Sequence, residues 1–108
     1  MALVNGWNTG GNTKTQMPIT ERQFANQIID LCKLFGWLYY RAWISPSGYP
    51  DIILVRPPRV ILVELKTEKG QPTESQWIWL YTLQHCPGVE CYLWRPSDFE
   101  AITEILSP

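Results

Sequence analysis

The sequence predicts a single α/β domain: a mixed four-stranded sheet flanked by helices, in the order α-β-β-β-α-β-α. Three observations predict it. Short apolar runs rich in branched and aromatic residues recur at 37–43, 51–56, 60–66 and 89–94, each of ordinary strand length. Apolar residues at helical spacing fill the other segments, each time behind a Ser or Thr followed three places later by Gln or Glu. The chain has 108 residues, 45% of them apolar, which suits one hydrophobic core and not two.

Residues 1–17 mix Gly, Asn, Thr and Gln without periodicity and read as a flexible tail, so the folded domain is assigned to 18–108. Thr20-Glu21-Arg22-Gln23 has the form of a capping box, and Phe24, Ile28, Leu31, Cys32 and Phe35 then recur up to Gly36. That spacing predicts a helix of about 15 residues. The aromatic run 37–43 reads as a strand and 44–50 as a loop. Residues 51–56 and 60–66 form a hairpin around Pro57-Pro58-Arg59. A tight primed turn needs positive φ, which proline cannot adopt, so a wider loop is expected there. Thr73-Glu74-Ser75-Gln76 is a second capping box and opens a helix to about His85, before Pro87-Gly88. After the strand 89–94, Ser97-Asp98-Phe99-Glu100 is a third box, opening a short closing helix with Phe99, Ile102 and Leu106 on one face.

No apolar run approaches the roughly 18–20 residues of a membrane span, and the first residues lack the basic start and apolar core of a signal peptide. A cytoplasmic protein with no membrane partner is expected. Cys32, Cys86 and Cys91 are odd in number and scattered, which fits reduced thiols better than a disulfide framework. The formal net charge of −1 leaves no basic footprint for nucleic acid. A cluster of acids loaded with divalent metal would invert the sign locally.

Two acids interrupt apolar strands: Asp51 before Ile52-Ile53-Leu54-Val55, and Glu64 within the run 60–66. If the hairpin is centred between Pro57 and Pro58, Val55 pairs with Val60, and four places further along each strand Asp51 lies opposite Glu64. Directly opposed residues have Cβ atoms about 4.5–5.5 Å apart, where like charges repel. Two carboxylates so placed require a cation or a proton between them. Alternation puts Val60, Leu62, Glu64 and Lys66 on one face. On the first helix Glu21 falls in line with Ala25, Ile28, Cys32 and Phe35, so it points toward the sheet; an acid favoured by the helix dipole is the simpler alternative. Carboxylates with a lysine hold Mg²⁺ or Mn²⁺, and the lysine orients or polarises a water attacking phosphate. That chemistry is phosphodiester hydrolysis. Taken singly, Asp51 also reads as a turn residue after Pro50, and Glu64 and Lys66 as a solvated edge face. Their joint spacing favours the site.

Gly48-Tyr49-Pro50-Asp51, Glu64-Leu65-Lys66, Thr73-x-x-Gln76 with its apolar helix, and the ending Trp94-Arg95-Pro96-Ser97-Asp98 occur in that order. From about Thr20 to Leu106 the chain resembles the PD-(D/E)xK nuclease superfamily, and within it the VRR-NUC branch of small phage and bacterial nucleases. The resemblance implies a restriction-endonuclease-like α-β-β-β-α-β core and a metal-dependent endonuclease acting on DNA. Asp51 and Glu64 would be metal ligands, with the Leu65 backbone carbonyl as a third and Glu21 as an additional candidate. Lys66 would stand near the nucleophilic water, and Gln76 would support the site. Stand-alone members of that branch are homodimers acting on branched DNA such as Holliday junctions. The loop 44–48 is shorter and less basic than in many relatives.

Other residues carry open readings. Gln76 is also the N3 partner of Thr73, and one side chain is not expected to serve both uses. Gln76, Trp79, Leu80 and Leu83 form a stripe suited to covering the sheet, while Trp77 and Tyr81 lie about 100° away and suit either a dimer interface or packing on the closing helix. Lys69 and Arg41, and also Arg56, Arg59 and Arg95 at strand ends, are candidate phosphate contacts. His85 suits the carbonyls of a helix end better than a zinc site with the cysteines, since no CxxC pair exists. The alternatives to a branched-DNA endonuclease are a non-catalytic nucleic-acid-binding or assembly module and a repair or restriction-type nuclease.

Overall fold

The first helix, α1 (Glu21–Phe35), is opened and closed by its own sequence in the computed structural model, which describes residues 18–42 and 47–108. The Gln23 amide donates to Thr20 Oγ1 at 3.0 Å and the Thr20 amide to Gln23 Oε1 at 2.8 Å, so the capping box is complete. Gly36 ends the helix in the left-handed region at φ 77°, where a side chain would be strained. The tail assigned to 1–17 lies outside the described residues, as does most of the loop 44–48.

Strand β1 (Leu38–Arg41) is shorter than the aromatic run that predicts it. Trp37 turns inward instead, its indole N–H donating to the Leu106 carbonyl at 2.8 Å. Strands β2 (Ile52–Arg56) and β3 (Arg59–Leu65) form the hairpin, with Val55 paired to Val60 as expected. Its loop is not wide: Pro57 and Pro58 alone make the turn, and their peptide is cis. A cis-proline at the second central position closes a turn without positive φ, a geometry that primed-turn reasoning leaves out. Strand β4 (Glu90–Trp94) runs parallel to β3, so the sheet of order β1-β2-β3-β4 is mixed.

Helix α2 (Glu74–Leu83) begins at its predicted box on Thr73 and stops two residues short of His85. The third predicted box does not form. A 3₁₀ turn at Pro96–Asp98 precedes α3 (Phe99–Leu106), and α3 has no side-chain cap hydrogen bond. Pro96, pre-set for a helical first turn, starts the turn early. The Arg95 amide then donates to Asp98 Oδ2 at 2.9 Å, and the Ser97 amide to the Glu68 carboxylate. Ile102 and Leu106 are buried as expected, whereas Phe99 at the start of α3 is 38% exposed.

Helices α1 and α3 cover one face of the sheet, over Ile52, Leu54, Ile61, Val63, Leu65 and Trp94. The other face carries α2 on a smaller cluster of Leu80, Cys91 and Leu93, with Trp77 and Leu83 against it. The stripe predicted for α2 is therefore only partly realised. Trp79 leaves the sheet, donating from its indole to the Ser47 carbonyl at 3.2 Å and meeting the Tyr49 ring edge-on at 5.1 Å. Gly48 (φ 82°) lets that loop press on the first turn of α2, since a Cβ there would lie 2.4 Å from the Ser75 carbonyl carbon. The chain is thus held against α2 just before it reaches Asp51.

Candidate active site

The start of β2, the end of β3 and the first turn of α2 meet on the α2 face of the sheet. Asp51 stands where the ladder gives out: its amide donates to the Val63 carbonyl and its carbonyl accepts from the Ala42 amide, both at 2.9 Å. Its side chain then supplies what the backbone no longer does, Oδ2 accepting the Leu65 amide at 2.8 Å. An acid precedes a buried strand here because a carboxylate oxygen replaces a ladder carbonyl.

Glu64 is only 1% exposed. Its Oε2 accepts from Gln76 Nε2 at 2.8 Å and faces Lys66 Nζ at 3.6 Å, an ion pair longer than a hydrogen bond. Its Oε1 is buried and receives no hydrogen bond from any donor group. Burial pushes the Glu64 carboxyl up to about 8, and nearby Asp51 pushes the same way against a smaller opposing pull from Lys66. A proton shared with Asp51 or a bound cation would answer that oxygen. Glu21 joins the same neighbourhood. Partial burial and then Asp51 raise its carboxyl, while Lys66 and Arg41 lower it.

Gln76 serves both uses that had looked exclusive. Oε1 accepts the Thr73 amide at 2.8 Å, completing the capping box, and Nε2 reaches Glu64. A carboxamide presents an acceptor and a donor on opposite corners; Glu, the commoner partner in such boxes, would aim a second carboxylate at Glu64.

Leu65, the expected carbonyl ligand, is the last residue of β3 and is tied to Asp51 through its amide. Lys69 is exposed in the loop after Lys66, and Arg41 ends β1 within electrostatic reach of Glu21. Three other arginines are engaged within the fold. Arg56 donates to the Phe35, Leu106 and Ser107 carbonyls, Arg59 to Glu90 and the Ile105 carbonyl, and Arg95 to the carbonyls of Thr67, Glu68 and Gly70. They answer carbonyls left over at helix ends and in a loop, a use invisible until the chain returns on itself. On α2, Tyr81 is 63% and Ile78 61% exposed, whereas Trp77 is half-buried against the Leu80 cluster. His85 places Nδ1 2.7 Å from the Tyr81 carbonyl, at the helix end where it was expected.

No protein-family model, curated protein or solved structure matches the chain. Its chemistry is therefore read from its own groups. Among the described residues no three His, Cys, Asp or Glu side chains converge as a metal cluster. A cation here would take two carboxylates, Asp51 and Glu64, and complete its shell with backbone, water or phosphate oxygens. Sequence reasoning missed Gly48, Trp79 and Arg95 as parts that hold this region in place. The positions of Gly48 and Arg95 beside motif residues were the only signals.

Proposed function

We propose that this chain is a Mg²⁺- or Mn²⁺-dependent endonuclease of the restriction-endonuclease-like fold, hydrolysing phosphodiester bonds in DNA, with branched duplexes such as Holliday junctions as its substrates. The observation that carries the reading is Glu64, a carboxyl almost wholly excluded from solvent, beside Asp51 and with one oxygen that no protein donor satisfies. A buried carboxyl oxygen without a donor is a cost to the fold. Hard oxygen donors facing one another suit Mg²⁺ or Mn²⁺. Asp51, Glu64 and the Leu65 carbonyl would hold the ion, with Glu21 able to approach from α1, and the ion would supply a water of lowered pKa and positive charge against the phosphate.

The remaining work falls to the chain. Gln76 holds Glu64 through Oε2, which leaves Oε1 without a protein donor. Lys66 Nζ is close enough to keep Glu64 charged once its proton leaves, yet at 3.6 Å it is not locked to it. Its ammonium remains able to donate to an attacking water or to a phosphate oxygen. Arg41, within electrostatic reach of Glu21, and Lys69, exposed in the loop after Lys66, are the candidate contacts to the DNA backbone. The exposed Tyr81 and Ile78, with Trp77 beside them, are the proposed homodimer surface.

Labelled four-way junction, nicked, flap and linear duplex DNA are incubated with wild type and Lys66→Ala, in Mn²⁺ and in chelator. Metal-dependent cutting that Lys66→Ala removes supports the reading and ranks the substrates. Binding without cutting under every condition replaces it with a non-catalytic DNA-binding module.

A further inference from the structure

Arg95 is the one arginine of the domain with no exposed surface, and it sits at the end of β4, outside the carboxylate site. Its Nη1 donates to the carbonyls of Thr67 at 2.6 Å, Glu68 at 3.1 Å and Gly70 at 2.6 Å. These carbonyls belong to a loop at the surface, where Lys69 is exposed and its neighbours half-buried. Water could satisfy them there. What a buried guanidinium adds is a fixed position, and burying a cation is too costly a way of achieving solvation alone.

The position matters because of what the loop joins. Lys66 precedes it and Thr73 follows it, opening the turn that carries Gln76. Lys66 and Gln76 are the two groups that face Glu64 Oε2, at 3.6 Å and 2.8 Å. Two further ties hold the same loop to the end of β4: the Lys66 amide donates to the Trp94 carbonyl at 3.0 Å, and the Ser97 amide to the Glu68 carboxylate.

We infer that Arg95 is a positioning residue, which, by gathering the carbonyls of residues 67–70, sets Lys66 and Gln76 at their places on Glu64. The positioning stands on these contacts; its consequence for catalysis rests on the nuclease reading above. Because all three carbonyls converge on one nitrogen, the three N–H donors of a lysine ammonium can replace it, whereas a neutral apolar chain cannot.

Arg95→Met and Arg95→Lys are compared with wild type by thermal melting, by hydrogen exchange of the Gln76 side-chain amide in metal-free protein, and by kcat and KM for Mn²⁺-dependent cleavage. In folded Arg95→Met the Gln76 amide exchanges at least about tenfold faster. Its kcat falls up to about a hundredfold, as expected when reacting groups shift by an ångström, while KM moves little. Arg95→Lys restores both readouts to within about threefold of wild type. A folded Arg95→Met with wild-type Gln76 exchange overturns the inference, as does an Arg95→Lys no better than Arg95→Met. If Arg95→Met does not fold, Glu68→Ala, which releases the second tether, decides. Faster Gln76 exchange then supports the inference and unchanged exchange overturns it. If wild type cuts no DNA, the nuclease reading fails separately, and Gln76 exchange alone judges Arg95.

Discussion

The two ends of β3 both carry charged side chains, and they treat charge in opposite ways. At the hairpin end, Arg59 grips both oxygens of Glu90 at 2.6 and 2.7 Å, and the Tyr92 hydroxyl adds a third donor at 2.7 Å. Those hydrogen bonds, chiefly the one from Arg59, hold the Glu90 carboxyl below its ordinary range. Arg56 and Arg59 lie over the Trp37 ring at 4.4 and 5.2 Å and tie down the last carbonyls of α1 and α3. At the other end, Glu21, Asp51 and Glu64 share their surroundings with Lys66 and Arg41, Glu64 is pushed up to about 8, and one of its oxygens has no donor. The first end is satisfied and closes the fold. The second leaves a buried carboxyl oxygen without a protein donor, the feature on which the proposed metal site rests.

The largest expected difference between the ends is in activity. Lys66→Ala lowers Mn²⁺-dependent cleavage by at least about a hundredfold with little change in melting temperature. Arg59→Ala does the reverse, costing about 1–3 kcal/mol of stability in denaturant titrations, less than a fully buried pair because Arg59 is partly exposed, and leaving cleavage intact below its melting point. A folded Arg59→Ala that no longer cuts would break the comparison.

Next comes pH, where the two glutamates act with opposite sign. Glu64 is raised from an ordinary 4.5 to about 8, so the native state holds a proton that the unfolded chain releases; its contribution to stability is full below 4.5 and is lost as pH rises through about 8. Partly buried Glu21 acts in the same direction. Glu90 is lowered, so its contribution is present above 4.5 and lost as pH falls through its folded value. The metal-free melting temperature should therefore fall as pH rises from 4.5 toward 8, Glu64→Gln should flatten that slope, and Mn²⁺ should oppose it by displacing the proton. A slope unchanged in Glu64→Gln would place the titration elsewhere.

Gln76 offers a finer cut within the site. Gln76→Glu keeps the capping acceptor but removes the donor to Glu64 and sets a carboxylate against it, so it should cost about 1–3 kcal/mol of stability and lower cleavage by about tenfold or more. Thr73→Ala should cost about 1 kcal/mol as a lost cap while Nε2 still reaches Glu64. Equal activity losses in the two variants would mean that the amide acts only as a cap. Smallest in stability is Tyr81→Glu, expected within about 0.5 kcal/mol because the ring is exposed. Its readout is mass by light scattering, where an unchanged dimer would remove α2 from the proposed interface.

Much of this arrangement is legible in the sequence. Thr20 and Thr73 announce their helices because a cap and its partner lie three residues apart, and Gly36 announces an end because only its own φ is at stake. The two-residue alternation counted outward from the turn holds from Val55–Val60 to Ile52–Val63, although the turn is tighter than expected; beyond it the Asp51 amide bonds the Val63 carbonyl, and Asp51 comes near Glu64 outside the paired ladder. The third box failed because Pro96, one place earlier, began a different turn.

By itself, then, the sequence determined the order of helices and strands and the hairpin register, since these depend on neighbours along the chain. Tertiary structure alone decided that Glu64 is buried with an unanswered oxygen, that Gln76 uses both ends of its amide, and that Arg56, Arg59 and Arg95 hold backbone carbonyls. Apart from the Gln76 bond to Thr73, three positions away, those contacts join residues 12 to 51 positions apart. Whether a charge is solvated, paired or left waiting depends on what the folded chain brings beside it, and no local pattern encodes that distance.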